Sequence, residues 1–183
     1  IAAYWNAISA AAPHTDFIIY NIPQLAGVAL TPSLLAEMKK NPRVVGVKNS
    51  SMPVQDIQMW KDEGIIVFNG PDEQLLGGLA MGAVGGIGGT YGAMPELYLK
   101  IRELFLAGKL EEAREVQNEA CRIIYKMCSG RGNMYAVIKA VIRKQGGPDC
   151  GSVRLPLAPL AAADEAVVDE TAAMIAAAIA KYC

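Results

Sequence analysis

The sequence predicts an α/β protein in which helices cover a parallel sheet and a purely helical region follows. Four apolar runs each end in polar residues and pass into a segment with helical spacing. The runs are continuously apolar rather than alternating, as expected of parallel strands buried by crossover helices. Beyond Lys109 the runs stop and only helical periodicity remains.

A helix over about Ile1 to Ala11 leads into a first strand, "DFIIYNIP". "TPSLLAEMKKN" combines a Thr cap, Pro in the first turn and apolar residues at helical spacing, so it reads as a helix. A second strand, "RVVGVKNS", precedes a helix over about Pro53 to Lys61. The third strand, "GIIVFNGP", runs directly into the helix "DEQLLGGLAMG". "AVGGIGGTYG" supplies a Gly-rich fourth strand and turn before the helix "MPELYLKIRELFLAG". "LEEAREVQNEACRIIYKMC" and "NMYAVIKAVIRKQG" are helical by period, the latter ending at Gly. The Pro-rich link "RLPLAPL" leads to a last, Ala-rich helix around Ala172 to Ala180.

The chain has 183 residues, 52% hydrophobic and 19% charged, with a net charge of −1. This is the composition of a globular core. Without a basic block, nucleic acid is not an expected partner. Gly, Pro or charge interrupts the apolar runs before they reach the ~18 residues of a membrane-spanning helix. Cys121, Cys128, Cys150 and Cys183 form no CxxC, and His14 is the only histidine, so no metal site is expected. Scattered cysteines of this kind suit thiols in a reducing cytoplasm. The chain opens at Ile1 with neither a methionine nor a basic-then-apolar leader, which suggests a fragment.

Four βα units make either a small doubly wound sheet or half of an eight-stranded (β/α)8 barrel. In both, function collects where the strands end. The ends here are Tyr20-Asn21-Ile22-Pro23, Lys48-Asn49-Ser50-Ser51, Asn69-Gly70-Pro71-Asp72-Glu73 and Gly88-Gly89-Thr90-Tyr91. Taken singly, Lys48 is a solvated strand-end lysine, Tyr20 a core tyrosine and Asp72-Glu73 a helix-start pair favoured by the dipole. Taken jointly, they outline one mouth. A lysine amine there condenses with a ketone to a protonated imine, which draws electrons from an adjacent carbon–carbon bond. A phenol such as Tyr20 relays the proton this requires. Asp72 and Glu73 suit hydroxyl groups, while Gly88 and Gly89 leave room and backbone N–H groups for a substrate. A dinucleotide fingerprint fits poorly, because Gly86, Gly88 and Gly92 give G-x-G-x-x-x-G rather than G-x-G-x-x-G.

"YNIP", "GVKNSS" and "FNGPDEQLLGGLAMGAVGGIGGTYG" together resemble the class I aldolases of the N-acetylneuraminate lyase and dihydrodipicolinate synthase superfamily. The resemblance covers the whole chain and aligns it with the second half of a TIM (β/α)8 barrel, strands 5 to 8, followed by C-terminal helices. It implies a division into residues 1–108, the barrel half, and 109–183, the helical region. It implies Lys48 as the Schiff-base lysine and Tyr20 as the catalytic tyrosine, with Ser50, Gly70, Asp72, Glu73 and Gly89 along the substrate path. The lyase branch is favoured: synthases usually carry an arginine just after the tyrosine motif, where this chain has Gln24, Leu25 and Ala26. The lyases' Gly-x-Asp-Glu motif is matched by Gly70, Asp72 and Glu73, and their threonine by Ser50. Gly89 and Gly92 stand where lyases typically have serine and asparagine, and Pro71 where an aromatic is common, which implies one polyol contact fewer.

The activity implied is that of a lyase that reversibly cleaves a sialic-acid-like 2-keto sugar acid to pyruvate and an N-acetylmannosamine-like aldose. The resemblance implies small-molecule substrates only, no metal or organic cofactor, and a homotetramer; the scattered cysteines point to the cytoplasm. The first four βα units, with the loop that grips the keto acid's carboxylate, are absent from the sequence, so the chain alone is expected to be inactive. Dihydrodipicolinate synthase, another 2-keto-3-deoxy acid aldolase, and a non-catalytic binding or regulatory protein on the same fold are the alternatives.

Overall fold

Strands β1 (Phe17–Asn21), β2 (Val44–Asn49), β3 (Ile66–Asn69) and β4 (Gly85–Gly86) form one parallel sheet in the order β1-β2-β3-β4. The computed structural model describes residues 1–183, which divide into two compact units, Ile1–Ile87 and Gly88–Cys183.

In the first unit, each strand lies beside its predecessor. A doubly wound sheet would reverse its order at a switch point and cover both faces with helices. Here only one face is packed. Ile19, Val47 and Val67 are buried against Leu35, Met38, Ile57 and Trp60 from the helices. Their strand neighbours Ile18, Tyr20 and Ile66 are 39%, 47% and 48% exposed on the other face. The period of two that alternates side chains across a strand produces this division. Sequential parallel winding with helices on a single face is that of a (β/α)8 barrel. Burying each aliphatic side chain on the packed face contributes roughly 1.5–3 kcal/mol.

The helices of this unit are α1 (Ala2–Ala10), α2 (Pro23–Ala26), α3 (Pro32–Met38), α4 (Asp56–Asp62) and α5 (Leu75–Ala80). Thr31 caps α3, its Oγ1 accepting from Leu34 N at 3.2 Å, with Pro32 in the first turn as expected. Gly64 at φ 75 turns the chain out of α4 towards β3, a conformation costly for other residues. The segment "DEQ" is a 3-10 turn rather than the start of α5. The Gly-rich fourth strand keeps only two paired residues, consistent with the weak strand preference of glycine. The single turn of α2 is an addition to the elements read from sequence.

The second unit holds α6 (Pro95–Leu106), α7 (Leu110–Cys128), α8 (Met134–Lys144) and α9 (Glu165–Tyr182). Along α7 the buried face runs through Ala113, Val116, Ala120, Ile123, Ile124 and Met127, the spacing of an amphipathic helix. It packs against α6 and α9. Asp164, just before α9, is buried and accepts backbone N–H bonds from Arg131 (2.7 Å), Gly132 (2.9 Å) and Ala161 (2.9 Å). These bonds, led by that from Arg131, hold its carboxyl below the usual carboxylate range. The clamp ties the α7–α8 turn to the start of α9. No helix is long and apolar enough to cross a membrane.

Candidate active site

Tyr20 and Lys48 are paired in the β1–β2 register, and Lys48 is paired with Phe68 of β3. Residues paired in parallel strands point to the same side, so all three lie on the face opposite the helices. Lys48 is half-buried, and its Nζ stands 3.9 Å from the centroid of the Tyr20 ring. A cation over an aromatic face at such an exposed site gains about 0.5–1 kcal/mol. The ring therefore keeps the amine at the end of β1 instead of letting it extend into water.

One residue further on, the same three strands present Asn21, Asn49 and Asn69 in register on the helix-facing side. All are buried, at 3%, 1% and 0% exposure. Asn49 Oδ1 accepts from Asn21 Nδ2 at 2.8 Å and from Trp60 Nε1 at 3.0 Å. Asn49 Nδ2 donates to Ser51 Oγ at 2.8 Å, and that hydroxyl donates to Asp56 Oδ2 at 2.7 Å. Asn21 Oδ1 accepts from Leu30 N at 3.0 Å, and Asn69 Nδ2 donates to the Pro71 carbonyl at 2.6 Å. Read from sequence alone, these asparagines have no role beyond their places at the strand ends. The available signal was their recurrence at three successive strand ends.

Ser50 is buried, with its N–H donating to the Asn21 carbonyl at 2.7 Å and its carbonyl accepting from Gln24 Nε2 at 2.6 Å. Gly70 donates its N–H to the Asn49 carbonyl at 2.8 Å and lies so close that a Cβ on it would overlap Ser50 Oγ. Glycine is required there by close approach, and Ser50 and Gly70 form one surface beside the lysine strand. In the adjacent 3-10 turn, Asp72 is buried and Glu73 exposed, so the two neighbouring carboxylates occupy different environments.

In the second unit, Gly89 (φ −70, ψ −40) precedes a 3-10 turn over Thr90–Gly92. A Cβ on Gly89 would come within 2.6 Å of Tyr135 Cε1. Tyr135, at the start of α8, thus fills the space a side chain at position 89 would take. No local sequence pattern connects these two residues. Thr90 is buried with its hydroxyl 2.5 Å from that of Tyr98, and the Tyr91 and Tyr98 rings stack at 4.0 Å.

A barrel-type parallel sheet with a lysine and a tyrosine side by side at adjacent strand ends defines a class of protein suited to carbonyl chemistry at an amine. The chain belongs to the dihydrodipicolinate synthetase family, whose model matches residues 1–175. It is 62% identical over 185 aligned positions to the N-acetylneuraminate lyase of Mediterraneibacter gnavus, covering 100% of this chain and 59% of that protein. To the 4-hydroxy-tetrahydrodipicolinate synthase of an Exiguobacterium species it is 31% identical over 169, covering 91% and 56%. Among solved structures, a catalytic lysine mutant of the Ruminococcus gnavus sialic acid aldolase superposes with a TM-score of 0.97 at 61% identity. That match covers 100% of this chain and 61% of the aldolase. The chain spans about three fifths of the length of these relatives.

Proposed function

We propose that this chain carries the lysine-bearing half of a class I aldolase that reversibly cleaves a sialic-acid-like 2-keto sugar acid to pyruvate and an N-acetylmannosamine-like aldose. The observation that carries the reading is the Lys48 amine held over the Tyr20 ring at neighbouring strand ends. Two relatives support it: one is an N-acetylneuraminate lyase, and the sialic acid aldolase has a catalytic lysine.

In this reading the Lys48 amine adds to the substrate ketone, and loss of water leaves a protonated imine. As the carbon–carbon bond breaks, its bonding pair moves into the imine to give an enamine. Tyr20 relays the proton of the aldol hydroxyl, its phenol oxygen accepting that proton as its own O–H proton passes on to the carbon set free from the aldose. The aldose leaves, and water releases pyruvate and regenerates the amine. Ser50 and Gly70 line the keto acid's path, and Asp72 and Glu73 take the sugar's hydroxyls. We further propose that the full-length enzyme is a cytoplasmic homotetramer requiring no metal or organic cofactor.

Borohydride reduction of the full-length enzyme with pyruvate tests the reading. Mass spectrometry should find a stable adduct on Lys48 that is absent in Lys48→Ala. An unmodified lysine overturns the aldolase assignment. A second reading, dihydrodipicolinate synthesis, is favoured by the 31% identical synthase. Turnover with pyruvate plus N-acetylmannosamine, against pyruvate plus aspartate semialdehyde, separates the two; the stretch Gln24-Leu25-Ala26, which lacks the arginine that usually follows the synthases' tyrosine motif, favours the former.

A further inference from the structure

We infer that Gln24 is a positioning residue for Ser50, and so for the keto acid's path beside Lys48; this rests on the aldolase reading above. Gln24 belongs to α2, the single turn that starts directly after β1 with Pro23 in its first position and closes at Gly27 (φ 66). Its amide crosses to the neighbouring strand's extension and donates to the Ser50 carbonyl at 2.6 Å. Ser50 lies just past the last paired residue of β2, where the sheet's own hydrogen bonds run out.

The Ser50 backbone is thereby held at both of its polar groups by one corner of the chain. Its N–H is anchored on Asn21, the last residue of β1, and its carbonyl on Gln24, three residues later. With φ and ψ restrained from either side, the Ser50 hydroxyl stays against Gly70, where a glycine has made room for it. A carbonyl left to rotate would let that hydroxyl and the end of the lysine strand drift together. Misplacement by about 1 Å of a group that positions the substrate is felt in rate.

The chemistry of the contact limits what can replace Gln24. Leucine preserves much of the shape and removes the donor. Glutamate has the right length, but its ionised carboxylate opposes the carbonyl oxygen, and only the protonated acid has an O–H to donate. Gln24 is exposed, so its replacement opens no core cavity and leaves the fold in place.

The test uses the full-length enzyme carrying this chain, with trapping by pyruvate and borohydride and steady-state cleavage of the sugar acid. Gln24→Leu should lower kcat/KM about 3- to 10-fold at every pH, the range set by one neutral hydrogen bond, with its melting temperature unchanged. For Gln24→Glu, the ratio of kcat/KM to that of the unsubstituted enzyme should rise as pH falls towards the carboxyl range. Normal kcat/KM in both variants, alongside intact trapping in the unsubstituted enzyme, overturns the role of Gln24 and leaves the aldolase reading standing. Equal losses in both variants, independent of pH and matched by a lowered melting temperature, also overturn it by making the residue structural. Failure of pyruvate to trap Lys48 in the unsubstituted enzyme overturns both.

Discussion

The hydroxyl of Ser50 stands where a side chain on Gly70 would begin, and the Asn49 carbonyl lies only 2.7 Å from that same point. A serine can turn its hydroxyl away, but a strand carbonyl cannot move without disturbing the sheet. Gly70→Ala is therefore expected to cost about 1–3 kcal/mol, as overpacking does. Ser50→Gly on the same background should recover only part of it. Urea denaturation of the single and double variants measures both terms, and full recovery would mean that the backbone contact is harmless.

Tyr20 has two separable parts, a ring beneath the Lys48 ammonium and a phenolic hydroxyl. Tyr20→Phe keeps the ring and removes the proton relay. In the full-length enzyme it is expected to lower kcat by about 10²- to 10⁴-fold, while pyruvate still forms a reducible adduct on Lys48. Single-turnover cleavage and adduct mass spectrometry report the two parts independently.

Asn49 accepts hydrogen bonds from the Asn21 amide and the Trp60 indole with one oxygen. Asn49→Leu fills a similar volume and strands both donors in the interior. Each buried, unsatisfied donor costs about 1–3 kcal/mol, so a loss of about 2–6 kcal/mol in unfolding free energy is expected from the pair. Adding Trp60→Phe to Asn49→Leu should then cost less than Trp60→Phe alone, which a double-mutant cycle detects.

Asp164 makes stability depend on acid. Its folded carboxyl is held below the usual carboxylate range by the N–H groups of Arg131, Ala161 and Gly132. As pH falls, the unfolded chain binds this proton before the folded one does. The stabilisation is therefore complete above the ordinary carboxylate range and disappears as pH drops through the lowered folded value. Asp164→Asn should lower the melting temperature at neutral pH, and the gap to the unsubstituted protein should narrow in acid. A gap that stays constant from neutral to acid pH would remove the ionised clamp as its cause.

The alternating elements were legible because apolar runs and Thr31–Pro32 capping report local physics. Lys48 and Tyr20 were legible as strand-end residues, and their juxtaposition followed once the strands were read as neighbours. What stayed hidden was long-range or depended on sidedness. Whether the sheet winds sequentially or reverses is decided by which face each strand buries, and uniformly apolar runs such as that around Ile19 do not declare a face. The Gln24–Ser50 bond joins residues 26 positions apart, and Gly89 faces Tyr135 from another helix. No periodicity carries such pairs. Asn21, Asn49 and Asn69 stood in the sequence only as members of the strand ends, although each is buried and hydrogen-bonded through its side-chain amide.

Asn69 is followed by Gly70, the dipeptide most prone to slow deamidation, in which the glycine nitrogen attacks the asparagine amide carbon and ammonia is lost. In the folded protein that nitrogen points its N–H at the Asn49 carbonyl, while the Asn69 amide is buried and bonded to the Pro71 carbonyl. The cyclisation needs both groups released and turned towards each other. The strand-end bonds at Asn69 and Gly70 thus also oppose that cyclisation, and a variant that opens more often at β3 is expected to deamidate there as well as unfold.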